Sequence, residues 1–205
     1  MMALTERPVR ELIAAIRSPD PTPGGGSASA LAGALGAALL AMVAGLGRPS
    51  ATERRDLERL SAAGERTAQL SDELTFLVDR DAAAYDGVMA AYKLPKGSDE
   101  EKKQRAERIQ QALEAAIAAP LNVMRLCTEA ADHATVIASF GNTNAASDIR
   151  VAAELLTAGL RGARANVDIN LASLKNAARV EAIRGEVARL SLKLESEVEA
   201  TQARL

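Results

Sequence analysis

Tryptophan is absent from this chain of 205 residues, histidine and cysteine occur once each, and phenylalanine and tyrosine twice each. These scarcities exclude whole classes of chemistry. With only His133 and Cys127, no H-E-x-x-H, paired C-x-x-C or His-rich site can be assembled, so no metal is expected. A Ser-His-Asp site would have to recruit His133, which reads as a loop or surface residue. No internal disulfide is possible and no charged-then-apolar leader opens the chain, so a cytoplasmic location is the expectation. Charge is balanced too: 25 basic against 27 acidic residues leave a net charge of -2. Without a basic footprint, nucleic acid is not an expected partner. No useful run alternates with period two and no segment repeats, so neither a sheet nor a repeat array is indicated. The chemistry left open is that of carboxylates.

What the chain has in quantity is small and apolar. Hydrophobic residues make up 48% of it with aromatics only 2%, so the core must be built from Ala, Leu, Val and Ile, a palette that favours closely packed helices. The length suits one domain, residues 1–205. Ala28 to Gly47 carries no charge and is about long enough to span a bilayer. Its Ala and Gly content gains little from lipid, however, and Gly33 and Gly36 fall on one side, where small residues admit a neighbouring backbone. The stretch reads as a buried helix at a helical core or dimer interface, with no membrane partner.

Helices follow one another with clear breaks. A short amphipathic helix carries Leu12, Ile13 and Ile16 on one face and ends near Ser18. The run Pro19-Asp20-Pro21-Thr22-Pro23-Gly24-Gly25-Gly26 cannot be helical, because proline removes donors and glycine adds backbone entropy. Ser27 is placed to cap the long small-residue helix that follows. Ser50-Ala51-Thr52-Glu53 has capping-box spacing, and its helix runs to about Lys93, with Lys93 and Lys96 as a solvated end. Ser98-Asp99-Glu100-Glu101 repeats the box, and Pro120 should kink or interrupt the next helix. A segment through Val123, Met124 and Cys127 leads to the turn at Phe140-Gly141-Asn142. Another helix spans roughly Ser147 to Lys175. The last, from about Ala177, sets Val180, Ile183, Val187, Leu190, Leu194 and Val198 on a narrow stripe that requires a partner helix.

Asp81 is the most informative acid. Counting along its helix, Leu74, Leu77, Val78, Ala84, Tyr85 and Val88 lie on or beside its face, whereas Asp72 and Asp79 point elsewhere. A carboxyl so placed is desolvated, its pKa rises, and it becomes competent to give and take protons near neutral pH. The same pattern also fits an Asp satisfied by another helix's end or by an arginine. The run Gly24, Gly25, Gly26 is neither a phosphate loop, lacking G-K-[ST], nor a dinucleotide fingerprint, lacking a preceding strand. It ends at a helix N-terminus, which is either an anion seat or a tight connector. Asn142, Asn144, Ser147 and Asp148 gather where a loop feeds a helix. Asn166 and Asn170 stand four apart on the next helix, where two amides either recognise a heterocycle or bond to nearby backbone.

Taken together, Pro21-Thr22-Pro23-Gly24-Gly25-Gly26-Ser27 with its Ala/Gly/Leu helix, Val78-Asp79-Arg80-Asp81-Ala82, Leu94-Pro95-Lys96, Gly141-Asn142 with Ser147-Asp148, and Asn166 with Asn170-Leu171 resemble the formiminotransferase-cyclodeaminase family. The match is to its cyclodeaminase domain and the stand-alone cyclodeaminase/cyclohydrolase relatives, over nearly the whole chain and in order. No stretch resembles the formiminotransferase domain. The resemblance implies an all-α, up-and-down helical bundle with an Ala/Gly-rich central helix, dimerising through helices. It also implies a catalytic aspartate at Asp81, the second acid of Asp-x-Asp-Ala. The implied substrate is a folate: 5-formiminotetrahydrofolate cyclised to the 5,10-methenyl form with loss of ammonia, or the methenyl bridge opened to 10-formyltetrahydrofolate, without cofactor or metal. Gly24, Gly25, Gly26, Ser27, Asn142, Asp148, Asn166 and Asn170 would then be substrate contacts. Arg80 stands where the family commonly has a small residue and is expected to face away from Asp81. A non-catalytic helical assembly module using the C-terminal stripe is the alternative of another class.

Overall fold

The computed structural model describes residues 2–46 and 53–205. Six α-helices form among the described residues, with no strand: α1 (Val9–Arg17), α2 (Gly25–Gly45), α3 (Arg54–Tyr92), α4 (Asp99–Phe140), α5 (Ala146–Leu171) and α6 (Ala177–Gln202). Short links between consecutive long helices make them antiparallel neighbours. α2, α3, α4 and α5 pack in a ring, each against the next and α5 back against α2, and α6 lies against α4 and α5. The all-α, up-and-down architecture is as the sequence indicates.

Within this ring α2 touches each of the other three helices. It is the one described helix long and apolar enough to cross a membrane by length and composition, yet half of its most apolar window is buried inside the protein. Its glycines explain how. A Cβ on Gly36 would stand 2.9 Å from the backbone oxygen of Ala152, and one on Gly159 of α5 would stand 2.9 Å from the backbone oxygen of Ser29. The backbones of α2 and α5 therefore touch, which side chains larger than hydrogen would prevent. Cys127 of α4 seals the same junction beside Gly33. Burial pushes its thiol up to about 12, which leaves it inert.

Several local expectations meet a different outcome. Ser98 forms its capping box with Glu101, but Ser27 does not cap α2: that helix already begins at Gly25, with Gly24 before it. Ser50 of the other proposed box lies outside the described residues. Pro120 does not interrupt its helix, and α4 runs unbroken for 42 residues. His133 accordingly sits half-buried within α4 and not in a loop. Ile13 turns outward while Leu12 is buried, because adjacent residues on a helix are separated by about 100°.

The C-terminal stripe finds its partner inside the chain. Val180, Ile183, Val187, Leu190 and Leu194 are all buried, so α6 has no free seam to offer and the assembly-module reading loses its surface. A fork of hydrogen bonds fastens α6 to α4: Arg125 Nε donates to Glu186 Oε1 at 2.7 Å and Nη2 to Oε2 at 2.9 Å. This pairing with Arg125 holds the Glu186 carboxyl below its ordinary value of 4.5. A depressed carboxylate stabilises the fold above its unfolded pKa, and the benefit is lost as pH falls through the folded value. Arg125→Ala should thus lower stability by about 1 kcal/mol at pH 7, solvent screening of the half-exposed arginine included. Thermal melts should show the gap to the parent protein closing as pH is lowered below about 4.

Candidate active site

The helices of the ring differ greatly in length. α2 has 21 residues, whereas α3 has 39 and α4 has 42. The far end of α2 is fixed beside the start of α3, where a Cβ on Gly64 would meet Ala44. At its N-terminal end α2 stops at Gly25 while α3, α4 and α5 run on. The space beyond its first turn is a cleft of about 290 Å³, lined by Pro21, Thr22, Gly24, Gly25 and Gly26, by Asp81, Ala84, Tyr85 and Val88 of α3, by Ala116 of α4, and by Asn166, Ile169 and Asn170 of α5.

Asp81 stands at the floor. A Cβ placed on Gly26 would fall 2.0 Å from its Oδ1, so the carboxyl lies directly on the first turn of α2. The Ser27 hydroxyl donates to the Val78 carbonyl at 2.8 Å and reaches Asp81 Oδ2 at 3.4 Å. Burial pushes the Asp81 carboxyl above its ordinary 3.8, while bonds from the backbone and side chain of Ser27 pull the other way. The start of α2 therefore faces the protein's own carboxyl, which accepts from Ser27. Arg80 points outward over the Phe76 ring, 5.8 Å from its centre, and contributes nothing to the shift of Asp81.

Asp79 has a different task from Asp81, two residues on. Its Oδ1 accepts from the Leu4 amide at 2.6 Å and its Oδ2 from the Thr5 hydroxyl at 2.9 Å. It caps the single turn Leu4–Glu6 and ties the N-terminal segment to α3.

Asn166 and Asn170 form the opposite wall. Asn166 Nδ2 donates to the Gly162 carbonyl at 2.9 Å, and Asn170 Nδ2 to the carbonyls of Asn166 at 3.0 Å and Ala116 at 3.3 Å. The last bond has a cause in the sequence. Pro120 has no N–H to give to Ala116, four residues earlier, so that carbonyl is left without its helical partner and Asn170 supplies one. Because all three carbonyls only accept, the amide nitrogens must lie on them, which orients both side chains unambiguously. Their Oδ1 atoms remain as two acceptors on the cleft wall. The three bonds use both N–H groups of Asn170 and one of Asn166, so both Oδ1 atoms and the second Asn166 N–H have no partner among the described residues.

Gly24, Gly25, Gly26, Asp81, Asn166 and Asn170 line this cleft, and Ser27 lies beneath it. Asn142 and Asp148 do not join them. Asn142 caps the turn after α4 by accepting from the Asn144 amide, and its neighbour Gly141 abuts Val43 near the other end of α2. At 1.5 Å per residue that end is roughly 27 Å from Gly25. Sequence reasoning also passed over Ile169, Ala116 and the loop residues Pro21 and Thr22 as cleft walls. Tyr85 and Val88 it read only as an apolar stripe; their step of four and seven residues from Asp81 was the available signal.

The shortest member of the helical ring thus leaves a cleft that opens onto one half-buried aspartate. Residues 8–189 match the family model described as formiminotransferase-cyclodeaminase, and the chain belongs to that family. The methenyltetrahydrofolate cyclohydrolase of Methylorubrum extorquens is 43% identical over 169 residues, covering 81% of this chain and 80% of that protein. The formimidoyltransferase-cyclodeaminase of Sus scrofa is 35% identical over 92% of this chain, which spans only 35% of that longer protein. Among solved structures, formiminotetrahydrofolate cyclodeaminase from Thermotoga maritima superimposes with a TM-score of 0.86 at 28% identity, covering 98% of this chain and 96% of that one.

Proposed function

We propose that this protein works on the one-carbon bridge between N5 and N10 of tetrahydrofolate, with Asp81 carrying the protons. The observation that supports this most is the isolation of Asp81: of the residues lining the cleft it is the single charged one, with a carboxyl raised by burial. In cyclodeamination, N10 attacks the carbon of the protonated formimino group, which becomes an amino group, and N10 gives its own proton to the Asp81 carboxylate. The acid then returns that proton to the amino group, and ammonia leaves as the methenyl bridge forms. In hydrolysis, a water attacks the methenyl carbon, Asp81 takes its proton and passes it to N5, and the C–N5 bond breaks as the remaining hydroxyl proton leaves through the Asp81 carboxylate to solvent, giving a formyl group on N10. One carboxyl serves both, since both pass through a tetrahedral carbon. The methenyl bridge is cationic, and a lone carboxylate with no basic neighbour in the cleft suits it. The Oδ1 atoms of Asn166 and Asn170 accept from the N–H groups of the pterin.

Cyclodeamination is the first reading, in line with the structural neighbour's name, and the 43% identity to a stand-alone cyclohydrolase favours hydrolysis as the second. Near-ultraviolet absorbance of methenyltetrahydrofolate separates them. Its appearance from 5-formiminotetrahydrofolate with ammonia release supports the first; accelerated loss of preformed methenyl compound alone supports the second; no change in either sinks the folate reading. No metal, cofactor or nucleic acid enters this scheme, and a cytoplasmic setting suits it.

The active form in this proposal is a homodimer. α2 is apolar on its outer face as well as its inner one: Leu35 and Met42 are 50% and 45% exposed, with Leu31 and Leu39 half-buried beside them. A helix apolar all round seeks burial on both faces. Leu35→Glu should convert a dimer into a monomer in sedimentation velocity, without unfolding it; an unchanged dimer removes this face from consideration.

A further inference from the structure

We propose that Tyr85 is the platform on which the substrate's aryl ring stacks, and that it makes the site select folates over pterins lacking that ring; this rests on the folate reading above. The chain has four aromatic side chains in all. Three carry a guanidinium over the ring: Arg80 on Phe76 at 5.8 Å, Arg105 on Tyr92 at 5.6 Å and Arg59 on Phe140 at 4.9 Å. Among the described residues, Tyr85 is the ring without one, although it is exposed to nearly the same degree as Tyr92, 37% against 43%. It is also the ring that lines the cleft. An aromatic face left open in a concave site is a surface for another flat ring.

Position argues the same way. Tyr85 is one turn beyond Asp81 on the same face of α3, a rise of about 6 Å. In the substrate, the one-carbon bridge has a ring system on either side, the pterin through N5 and the aminobenzoyl ring through N10. With the bridge at Asp81, a ring must lie about one helical turn away along the cleft. The two Asn acceptors on α5 suit the pterin, which has N–H groups to offer. The aminobenzoyl ring is apolar on its faces and has none on its ring atoms. Tyr85, flanked by Val88 and facing Ile169, offers it an apolar slot, and Ile169 at 74% exposure is an otherwise unexplained large apolar side chain at the cleft mouth.

The test compares the parent protein with Tyr85→Phe and Tyr85→Leu, using calorimetric binding of 5-formyltetrahydrofolate and competition by 6-methyltetrahydropterin, which lacks the aryl ring. Tyr85→Phe keeps the ring and should bind the folate as the parent does. Tyr85→Leu keeps apolar bulk and should weaken folate binding about tenfold, the scale of one lost ring stack, while the pterin's inhibition constant stays unchanged. Equal folate affinity in Tyr85→Leu overturns the proposal, as does parallel weakening of both ligands, which would mean that Tyr85 merely shapes the cleft. If the parent protein itself binds no folate, the folate reading fails and takes this inference with it. Thermal melts of both variants confirm that a change in affinity is not a change in folding.

Discussion

Asp81→Asn should lower turnover of either folate substrate by about 10² to 10⁴-fold, the usual contribution of a positioned general acid/base, while its melting temperature at pH 7 equals or exceeds that of the parent. The two effects have one cause. Burial beneath the cleft raises the Asp81 carboxyl above 3.8, so the folded protein holds the proton more tightly than the unfolded chain does. Linkage then makes the contribution of Asp81 to stability greatest below its unfolded pKa and lost as pH rises through the folded one. The amide is neutral throughout, retains an acceptor for Ser27, and escapes that loss. Melting curves from pH 4 to pH 7 should show the variant gaining on the parent as pH rises. A variant that is uniformly less stable would mean that the carboxylate is a structural cap on α2. Full activity would remove Asp81 from the mechanism.

Gly26→Ala should abolish activity to a similar degree by a different route. The added methyl carbon would lie 2.0 to 2.4 Å from the three carboxyl atoms of Asp81, closer than any contact tolerates, so the carboxyl must leave its seat or α2 must shift. Overpacking of this kind costs about 1–3 kcal/mol. It is offset in part by the roughly 1 kcal/mol advantage of alanine over glycine in a helix. The double variant Gly26→Ala/Asp81→Ala removes the atoms that collide, so its stability should recover while activity stays lost. That non-additive pattern in chemical denaturation identifies contact between the two residues as the source. Additive losses in stability would place the defect of Gly26→Ala elsewhere.

Much of the architecture is readable in the residues because its determinants are local. The Ser98 box, the helix end near Lys93 and the narrow apolar stripe of α6 act within a few residues, and each element they mark is found close to where it was expected. Errors occur where a local signal competes with a distant one. Ser27 has the chemistry of a cap, yet its hydroxyl goes to Val78 across the α2–α3 contact. Pro120 has the chemistry of a helix breaker, yet the carbonyl it strands is satisfied by Asn170, 54 positions away from Ala116. Asn142 and Asp148 resemble site residues by type and spacing, but helix length alone carries them to the other end of α2.

The candidate site divides along the same line. Asp81 stands out in the sequence because periodicity places a carboxylate on an apolar stripe, and stripe membership is a property of one helix. The sequence likewise determined the helical class and the scarcity of histidine, cysteine and aromatic rings. Tertiary structure decided that α2 stops short of its neighbours and so leaves a cleft, that the Asp81 carboxyl lies against the first turn of α2, and that the Asn pair spends three of its four amide N–H groups on carbonyls of α4 and α5. It also decided which of four rings remains uncovered. The reason is physical: periodicity and capping are set by residues within a turn or two of one another, whereas a cavity, a shared carbonyl or a close backbone crossing exists only once segments far apart in the chain are brought within a few ångströms.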